Sequence, residues 1–416
     1  MGPMNSVEDT AVRSGKSLCP RVFSSCCPIR PIEWGLWSPH DRVWMQILKD
    51  HYDIFHLGNC VQSRDGVAEV GTGYRIPRII HHIWLGSSLP PIFCELRRSW
   101  EAMHADWRLR LWTDEDVHGL QLRNREAYDA ASNFGEKSDI LRYEILFAEG
   151  GLYVDVDFLC FGNFESLHKT YDFFTGVSNT GTFELNNGLI GCCAGHPILN
   201  NVIQRIAKTK ASNPALESVS ALSGLDEAGS LPISVGAAGK SQLAGLLGEM
   251  EGALGSLLGD SEHVNLTKAL KVEDRTSTST IISTGPGVFT VAVMELVSSR
   301  LECGRGLDHD TKTDKKVTVE STEVTTRRVS RCTLDNTEGN NGLGRVMVFP
   351  PAFFYPIPNN APGDMVGEEG GIAMILAKCK GFLQEESLAA HLWARSWQQK
   401  FGHELERDRR KDRGTE

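Results

Sequence analysis

Several features that define common protein classes are missing from this sequence. It has no unbroken run of about 18 apolar residues and no apolar segment of signal-peptide length near the N-terminus, so neither a spanning helix nor a secretion signal is expected in this chain. None of its eleven cysteines forms a Cys-x-x-Cys pair, which argues against a structural zinc site. The net charge of −10 argues against a nucleic-acid partner.

The 416-residue chain does contain strand and helix patterns in alternation, with an ordinary globular apolar content of 41%. Residues 76–86 form an apolar run typical of a buried strand, 91–103 follow as a helix, and 107–112 alternate as a second strand. This order predicts an α/β fold with a mostly parallel central sheet flanked by helices. In such sheets, ligands bind at the carboxyl ends of the strands.

Residues 138–158, with the sequence SDILRYEILFAEGGLYVDVDF, carry the most informative pattern. Ser138 is a favourable helix N-cap, and apolar residues then recur at helical spacing as far as a Gly-Gly pair, which can end a helix. After the glycines the period changes to two. The segment from Leu152 to Phe158 is therefore predicted to be a strand with a buried apolar face.

Asp155 and Asp157 fall on the other face of that predicted strand, with Cα atoms about 6.5–7 Å apart. Two carboxylates this close repel each other, and beside a core the pair is costly unless a cation neutralises it. Their oxygen ligands suit Mg²⁺ or Mn²⁺, which keep other positions for water and substrate phosphate. The pair predicts a metal–diphosphate site at a strand end. A strand that simply runs out into solvent is the alternative explanation.

Asp139 and Arg142 lie three residues apart on one face of the predicted helix, ready to hold a polar ligand beside the metal. The combination of Ser-Asp-x-x-Arg, the Gly-Gly pair and Asp-x-Asp resembles the signature of glycosyltransferase family 32, which includes mannosyltransferases acting on N-glycans and on inositol phosphoceramide. The resemblance implies a GT-A-type α/β fold, a nucleotide-sugar donor, a glycan or glycolipid acceptor, and Mn²⁺ or Mg²⁺ as the cofactor.

The resemblance also implies roles for the four candidate catalytic residues. Asp157 would bind the metal directly, Asp155 would reach both metal and ribose, and Asp139 and Arg142 would hold sugar hydroxyls. Near the C-terminus, the segment HLWARSW resembles the closing element of the family, so His391 would complete the metal shell. The other donor-binding candidates are Trp84 near the base, Asn187 near a sugar, and Ser396 and Trp397 over the diphosphate.

Some of these residues also have ordinary structural explanations. Trp84 would serve equally well as a core tryptophan, and the Asn186-Asn187 pair, placed before a strand at 188–192, as a turn. A lone His391 would most often be a surface histidine.

The chain is predicted to comprise an N-terminal extension (1–75), a GT-A-like catalytic domain (76–400) with an insertion at 302–345, and a charged tail (401–416). Within the extension, apolar residues of 41–56 fit one face of a helix, which is expected to pack on the main domain.

By resemblance, the predicted function is the metal-dependent transfer of a sugar to a hydroxyl of a glycan or glycolipid, with retention of the anomeric configuration. The donor expected first is GDP-mannose, which supplies mannose. Transferases using UDP-galactose, UDP-glucose or UDP-N-acetylglucosamine are alternatives, as is a non-catalytic module that binds a nucleotide-sugar or a metal. Relatives in this family that build glycans or glycolipids are usually Golgi proteins held by a membrane anchor. The resemblance therefore favours Golgi or membrane association, whereas the sequence shows no anchor.

Overall fold

The computed structural model describes residues 21–26, 32, 34–64, 73–131, 133–212, 280–303, 343–361, 365–366 and 371–394. The strands are β1 (Ile79–Ile83), β2 (Arg108–Trp112), β3 (Gly151–Val154), β4 (Phe158–Cys160), β5 (Phe173–Val177), β6 (Leu185–Cys192), β7 (Val346–Phe349) and β8 (Ala389–His391). The helices are α1 (Asp41–Arg64), α2 (Pro91–Met103), α3 (Asp114–His118), α4 (Arg125–Ala130), α5 (Phe134–Glu149), α6 (Glu165–Thr170), α7 (Pro197–Ser212), α8 (Pro286–Cys303), α9 (Pro351–Phe354) and α10 (Gly371–Cys379), with a short 3-10 turn at Phe23–Cys26. Most of the predicted insertion at 302–345, together with Ser396, Trp397 and the 401–416 tail, lies outside the described residues.

A six-stranded sheet with the order β2-β1-β3-β6-β5-β7 forms the centre of the described part of the chain. β1 runs parallel to β2 and to β3, and β5 runs parallel to β7, whereas β6 is antiparallel to both of its neighbours. The connection between β5 and β6, residues 178–184, is too short for the crossover that a parallel pair requires. The predicted α/β class with a mostly parallel sheet is confirmed.

Helix α1, from the predicted N-terminal extension, packs into the same apolar cluster as the sheet. Trp44, Leu48 and Tyr52 are all buried members of that cluster. The ring of Tyr52 makes edge contacts with Phe349 and Phe353, each with ring centroids 6.1 Å apart. The predicted extension therefore contributes side chains to the core built around the central sheet.

Helix α5 begins at Phe134, five residues earlier than a cap at Ser138 implies. Its N-cap is Asn133, whose side chain accepts a hydrogen bond from the N–H of Glu136 at 2.8 Å. Ser138 lies inside the helix, so its assignment as the cap was wrong: the first turn has a single apolar residue, Phe134, and apolar periodicity alone does not reveal it. The helix ends as predicted, at Gly150 with φ +65°.

The predicted strand from Leu152 to Phe158 is interrupted. β3 ends at Val154, and residues 155–157 form a turn before β4 begins at Phe158. The alternation of apolar and acidic residues continues through this turn because Val156 is buried in a second, smaller apolar cluster. The two aspartates therefore lie in a turn at the end of β3, and placing them on a strand face was wrong.

One described helical segment, Thr280–Ser299, is long and apolar enough to cross a membrane on length and composition alone. Its most apolar window is 78% buried inside the protein, as in a core helix. Thr284 and Gly285 form a turn within this segment, immediately before α8.

Candidate functional site

Three potential metal ligands meet at the carboxyl end of β3. The ligand atoms of Asp155, Asp157 and His391 all lie within 4.8 Å of one another. Nε2 of His391 is 3.1 Å from Oδ1 of Asp157 and 3.9 Å from Oδ2 of Asp155. His391 reaches this place because β8 pairs antiparallel with β4, in a register that sets His391 opposite Phe158.

Asp157 is held on several sides. The N–H of Ala394 donates to its Oδ2 at 2.9 Å, and the N–H of Leu392 donates to its backbone oxygen at 3.0 Å. Burial acts to raise the pKa of Asp157, but His391 and the hydrogen bonds outweigh it and hold that pKa below its usual value. The carboxylate is therefore ionised at neutral pH, in the form that binds a cation.

Asp155 is the more open of the two carboxylates, since its side chain is 27% exposed and that of Asp157 only 11%. Its Oδ1 accepts a hydrogen bond from the Tyr153 hydroxyl at 2.6 Å and lies 3.2 Å from Nη1 of Arg142. Its Oδ2 is the oxygen closer to His391. The side chain therefore has one anchored oxygen and one that faces the other two ligands.

Arg142 is a buried guanidinium that ties the helix to the acidic turn. Nη2 lies 3.0 Å from Oδ1 of Asp139, and Nη1 donates to the backbone oxygen of Asn187 at 2.9 Å as well as contacting Asp155. The guanidinium carbon lies 4.6 Å from the centre of the Tyr153 ring. Burial acts to lower the pKa of Arg142, but the neighbouring acidic groups outweigh it and raise that pKa, so the group stays charged.

Asp139 lies at the far end of the same network. Its Oδ1 accepts from Nδ2 of Asn187 at 2.8 Å, and its Oδ2 accepts from the hydroxyl of Thr284 at 3.1 Å. Burial raises the pKa of Asp139 to about 6, although Arg142 and these hydrogen bonds oppose the shift. The Tyr143 hydroxyl accepts from Asn187 at 2.8 Å and donates to the backbone oxygen of Thr284 at 2.9 Å. This carboxyl is thus fixed from three elements of the fold.

Asn187 is part of strand β6 and is buried, so the explanation of the Asn186-Asn187 pair as a turn before a strand was wrong. The strand begins at Leu185, three residues earlier than expected. Its amide bonds to Asp139, which brings Asn187 into the same network as the predicted catalytic residues.

Trp84 is 8% exposed and belongs to the smaller apolar cluster, which also contains Val156 and Leu392. In the sequence, Val156 lies between Asp155 and Asp157, and Leu392 directly follows His391. Trp84 is thus a core side chain in the cluster that supports the acidic turn.

Two carboxylates and one imidazole make a donor set that suits Mn²⁺ or Mg²⁺. The Nδ1 of His391 is buried and has no hydrogen-bond partner among the described residues. Packing orients the ring instead, since its centroid lies 4.2 Å from that of Trp393 and 4.7 Å from that of Phe158. With Nε2 aimed at both carboxylates, the residues present fit a divalent cation.

Several residues of the site were not predicted from the sequence. Two of them had a local signal in their spacing from a candidate aspartate. Tyr153 lies two residues before Asp155, and Tyr143 lies four residues after Asp139. Gly188 and Tyr355 come from distant segments and carry no local signal of their contacts.

Comparison with known families agrees with this geometry. Residues 91–174 match the family model described as "Glycosyltransferase sugar-binding region containing DXD motif". The matched region contains the two aspartates of the turn and the Asp139–Arg142 pair. The sequence of this segment is thus similar to that of the DXD-type glycosyltransferase sugar-binding family. The suspected family resemblance is confirmed.

Two similar proteins are named as sphingolipid mannosyltransferases or synthases. "Inositol phosphoceramide mannosyltransferase 3" of Schizosaccharomyces pombe is 28% identical over 137 residues, which cover 32% of this chain and 38% of that protein. "Mannosyl phosphorylinositol ceramide synthase CSH1" of Saccharomyces cerevisiae is 30% identical over 142 residues, covering 32% and 36% respectively. The chain therefore spans less than two fifths of the length of these two curated relatives.

Among solved structures, the ligand-free glycosyltransferase domain of the YGT toxin is similar to 56% of this chain and 80% of that domain, with a TM-score of 0.37 and 11% identity. This is a low degree of structural similarity.

Proposed function

We propose that this protein is a metal-dependent glycosyltransferase, which transfers a sugar from a nucleotide-sugar to a hydroxyl group of a glycan or glycolipid. The observation that carries the proposal is the convergence of Asp155, Asp157 and His391 from two distant segments, with ligand atoms within 4.8 Å. Asp155 and Asp157 lie inside the region that matches the sugar-binding family, and His391 reaches them from outside it. A solvated strand end would not bring in a histidine from β8.

Asp155, Asp157 and His391 would hold Mn²⁺ or Mg²⁺. Such a cation, when bound, neutralises the leaving diphosphate and stabilises the charge that develops as the glycosidic bond breaks. We assign direct metal binding to Asp157, which is ionised and fixed by backbone N–H groups. Asp155, with its more exposed carboxylate, would reach both the metal and the ribose of the donor.

Arg142 and Asp139 would orient the donor sugar, and the contacts show how much of each group remains available. Arg142 donates hydrogen bonds to the backbone oxygens of Ser138 and Asn187, and its two terminal nitrogens lie 3.0 Å from Asp139 and 3.2 Å from Asp155. Most of the guanidinium is therefore engaged by the protein, and its main role would be to hold Asp139 and Asp155 in position beside the sugar.

The finer roles belong to the same proposal. Asn187 would act beside the donor sugar through its bond to Asp139, and Trp84 would support the base end of the nucleotide. Ser396 and Trp397, which follow the described C-terminal segment, would close over the diphosphate. Transfer would retain the anomeric configuration, as the family resemblance implies.

GDP-mannose is the donor we place first, because similar proteins are named as mannosyltransferases acting on inositol phosphoceramide. The same names favour a lipid-linked acceptor and hence association with a membrane surface. UDP-galactose, UDP-glucose and UDP-N-acetylglucosamine are the alternative donors. The alternative of a non-catalytic binding module is disfavoured by the complete Asp-Asp-His cluster.

A donor screen tests the proposal. Isothermal titration with GDP-mannose and the three UDP-sugars, each with and without Mn²⁺, should show one donor that binds more tightly when Mn²⁺ is present. The same donor should be hydrolysed slowly in the absence of an acceptor. Binding of a donor with no hydrolysis or transfer would favour the binding module. If the protein binds none of these donors, with or without Mn²⁺, the proposed function is rejected.

A further inference from the structure

We propose that Glu184, supported by Ser178 and Asn186, forms a second polar subsite beside the acidic turn, and that this subsite binds a hydroxyl group of a saccharide. The inference rests on the proposed function and extends it to residues outside the DXD motif, its Asp-Arg partner and the metal ligands.

Glu184 immediately precedes β6, and burial, Asp155 and Glu184 raise the pKa of Tyr355, so the Glu184 carboxyl lies near that side chain. On β6, Asn186 and Gly188 point in one direction, since a Cβ added to Gly188 would lie 2.9 Å from Oδ1 of Asn186. A Cβ added to Gly188 would lie 2.6 Å from Oδ2 of Asp155. That direction is therefore the one in which the acidic turn lies. The N–H of Ser178 donates to the backbone oxygen of Glu184 at 2.9 Å, which extends the β5–β6 pairing up to this residue.

Tyr355 connects this row of side chains to the metal ligands. Its hydroxyl donates to Oδ1 of Asn186 at 3.3 Å. Its ring centroid lies 5.9 Å from that of His391 and 6.1 Å from that of Trp393. A single aromatic side chain thus borders both the proposed metal site and the row that leads to Glu184, so the two sites adjoin.

The carboxyl of Glu184 has capacity for a ligand. The side chain is buried, and the hydroxyl of Ser178 donates to its Oε1 at 2.9 Å. Its Oε2 has no hydrogen-bond partner in the described part of the chain, and no described basic side chain forms an ion pair with the group. This oxygen is not fully enclosed by the protein, so a hydroxyl group of a ligand can reach it and form the hydrogen bond that the described residues do not supply.

The chemistry of the group indicates which partner it would take. Burial raises the pKa of Glu184 to about 7, so that at neutral pH the carboxyl is present in both its neutral and its charged form. One form donates a hydrogen bond and the other only accepts. A hydroxyl group, which can do either, suits both forms. An anion would be repelled by the charged form, and a divalent cation would find only one carboxylate here.

Further hydroxyls line the loop that carries Ser178. The hydroxyl of Ser178 lies 3.1 Å from that of Thr180, which in turn lies 3.0 Å from that of Thr182. Asn179 fixes this loop by donating to the backbone oxygen of Pro356 at 3.3 Å. The loop therefore presents polar groups from an anchored position, as a saccharide subsite requires.

The test separates the sugar from the rest of the donor. In the presence of Mn²⁺, dissociation constants would be measured by titration for GDP, UDP and the four nucleotide-sugars, on the full chain and on Glu184→Ala and Glu184→Gln. If the hydroxyl belongs to the donor, Glu184→Ala should weaken the productive nucleotide-sugar by about five- to tenfold and leave the bare diphosphate unchanged. Glu184→Gln, which still donates and accepts, should stay within about threefold of wild type.

The hydroxyl could instead belong to the acceptor. In that case Glu184→Ala leaves every donor affinity and donor hydrolysis unchanged but raises KM for a simple acceptor such as methyl α-mannoside by about five- to tenfold. Glu295→Gln, which breaks a partly buried ion pair with Arg205 away from the site, serves as the stability control and should change neither quantity.

Two results overturn the inference in different ways. If the wild-type protein binds and turns over a donor while Glu184→Ala matches it in both donor affinity and acceptor KM, the subsite is rejected and the proposed function stands. If the wild-type protein binds no nucleotide-sugar at all, the proposed function fails and the subsite fails with it.

Discussion

Gly188 and Asp155 approach so closely that no side chain fits between them. A Cβ built on Gly188 would lie 2.6 Å from Oδ2 of Asp155 and 2.9 Å from Oδ1 of Asn186. The N–H of Asp155 also donates to the backbone oxygen of Gly188 at 2.8 Å. The glycine therefore sets where the acidic turn rests against β6, and the open oxygen of Asp155 depends on the absence of a side chain there.

Gly188→Ala should consequently displace the Asp155 carboxylate and weaken binding of Mn²⁺ by about 10- to 100-fold, the range seen when groups that support metal ligands are disturbed. Titration with Mn²⁺ measures the effect, and circular dichroism checks that the variant is folded. Gly119→Ala is the matched control, since Gly119 has an ordinary φ of −87° and its added Cβ would meet nothing closer than 4.0 Å. Equal Mn²⁺ affinity in both variants would contradict the assignment of Asp155 as a ligand.

Asp157→Asn tests the metal site more directly. The substitution keeps the size of the side chain and removes the charge that His391 and the backbone N–H groups stabilise. Turnover that depends on Mn²⁺ should fall by orders of magnitude in a protein that remains folded. Donor hydrolysis across a Mn²⁺ series, with Asp106→Asn as an exposed control, gives the measurement. Wild-type turnover by folded Asp157→Asn would mean that the metal lies elsewhere.

Arg142→Lys should affect stability as well as activity, because the guanidinium is buried and contacts four groups at once. Lysine keeps the charge but cannot reproduce the planar fork, so Asp139 and Asp155 lose part of their pairing. We expect the free energy of unfolding to fall by about 2–3 kcal/mol, measured by urea denaturation.

Arg110→Lys is the control for that experiment. Arg110 pairs with Asp116 and Glu149 on a more exposed surface, so its replacement should cost less than about 1 kcal/mol. If the two substitutions cost the same, the buried network around Arg142 does not stabilise the fold in the way its contacts indicate.

The sequence predicted the elements whose signals are local. Helix α2 lies at Pro91–Met103 as predicted, and Thr113 caps the short helix after β2 with a capping box. The Gly-Gly pair ends α5 for the expected steric reason, since Gly150 has φ +65° and an added Cβ would lie 2.7 Å from the backbone of Ala194. Each of these outcomes depends on residues that are neighbours in the chain.

The parts that were missed depend on contacts between distant segments. Nothing local shows that β4 pairs with β8 outside the main sheet, or that β3 ends before Asp155. His391 was placed at the metal only by family resemblance, and the contacts of Tyr355 had no signal at all. The close approach of two carboxylates, which the sequence did show, pointed to the same two aspartates that lie in the candidate site.

The N-terminal helix offers a test of where the folded unit begins. Leu48 is 1% exposed within the main apolar cluster, whereas Ile54 on the same helix is 50% exposed. Leu48→Ala should lower the free energy of unfolding by about 2–4 kcal/mol through lost burial and the cavity left behind. Ile54→Ala should change it by less than about 0.5 kcal/mol. Equal, small effects in urea denaturation would show that α1 is dispensable and that the catalytic domain begins after it.

The pH dependence of stability gives an independent measure of the environment of Glu184. Because burial raises the pKa of Glu184 from 4.5 to about 7, the folded state holds this proton more tightly than the unfolded state. Stability from this group is therefore greatest below pH 4.5, falls as the pH rises to about 7, and is constant above. Glu184→Gln removes the titration without changing the shape of the side chain.

The difference in unfolding free energy between Glu184→Gln and wild type should accordingly increase with pH, by on the order of 1–3 kcal/mol between pH 4.5 and pH 8. Urea denaturation of both proteins across that range measures it, and other titrating groups cancel in the difference. Glu165→Gln supplies a control of opposite sign, because hydrogen bonds from Lys169 and Tyr74 lower the pKa of Glu165. A difference for Glu184→Gln that stays flat with pH would mean that the carboxyl is well solvated or already paired, and would remove the physical basis for a ligand at its second oxygen.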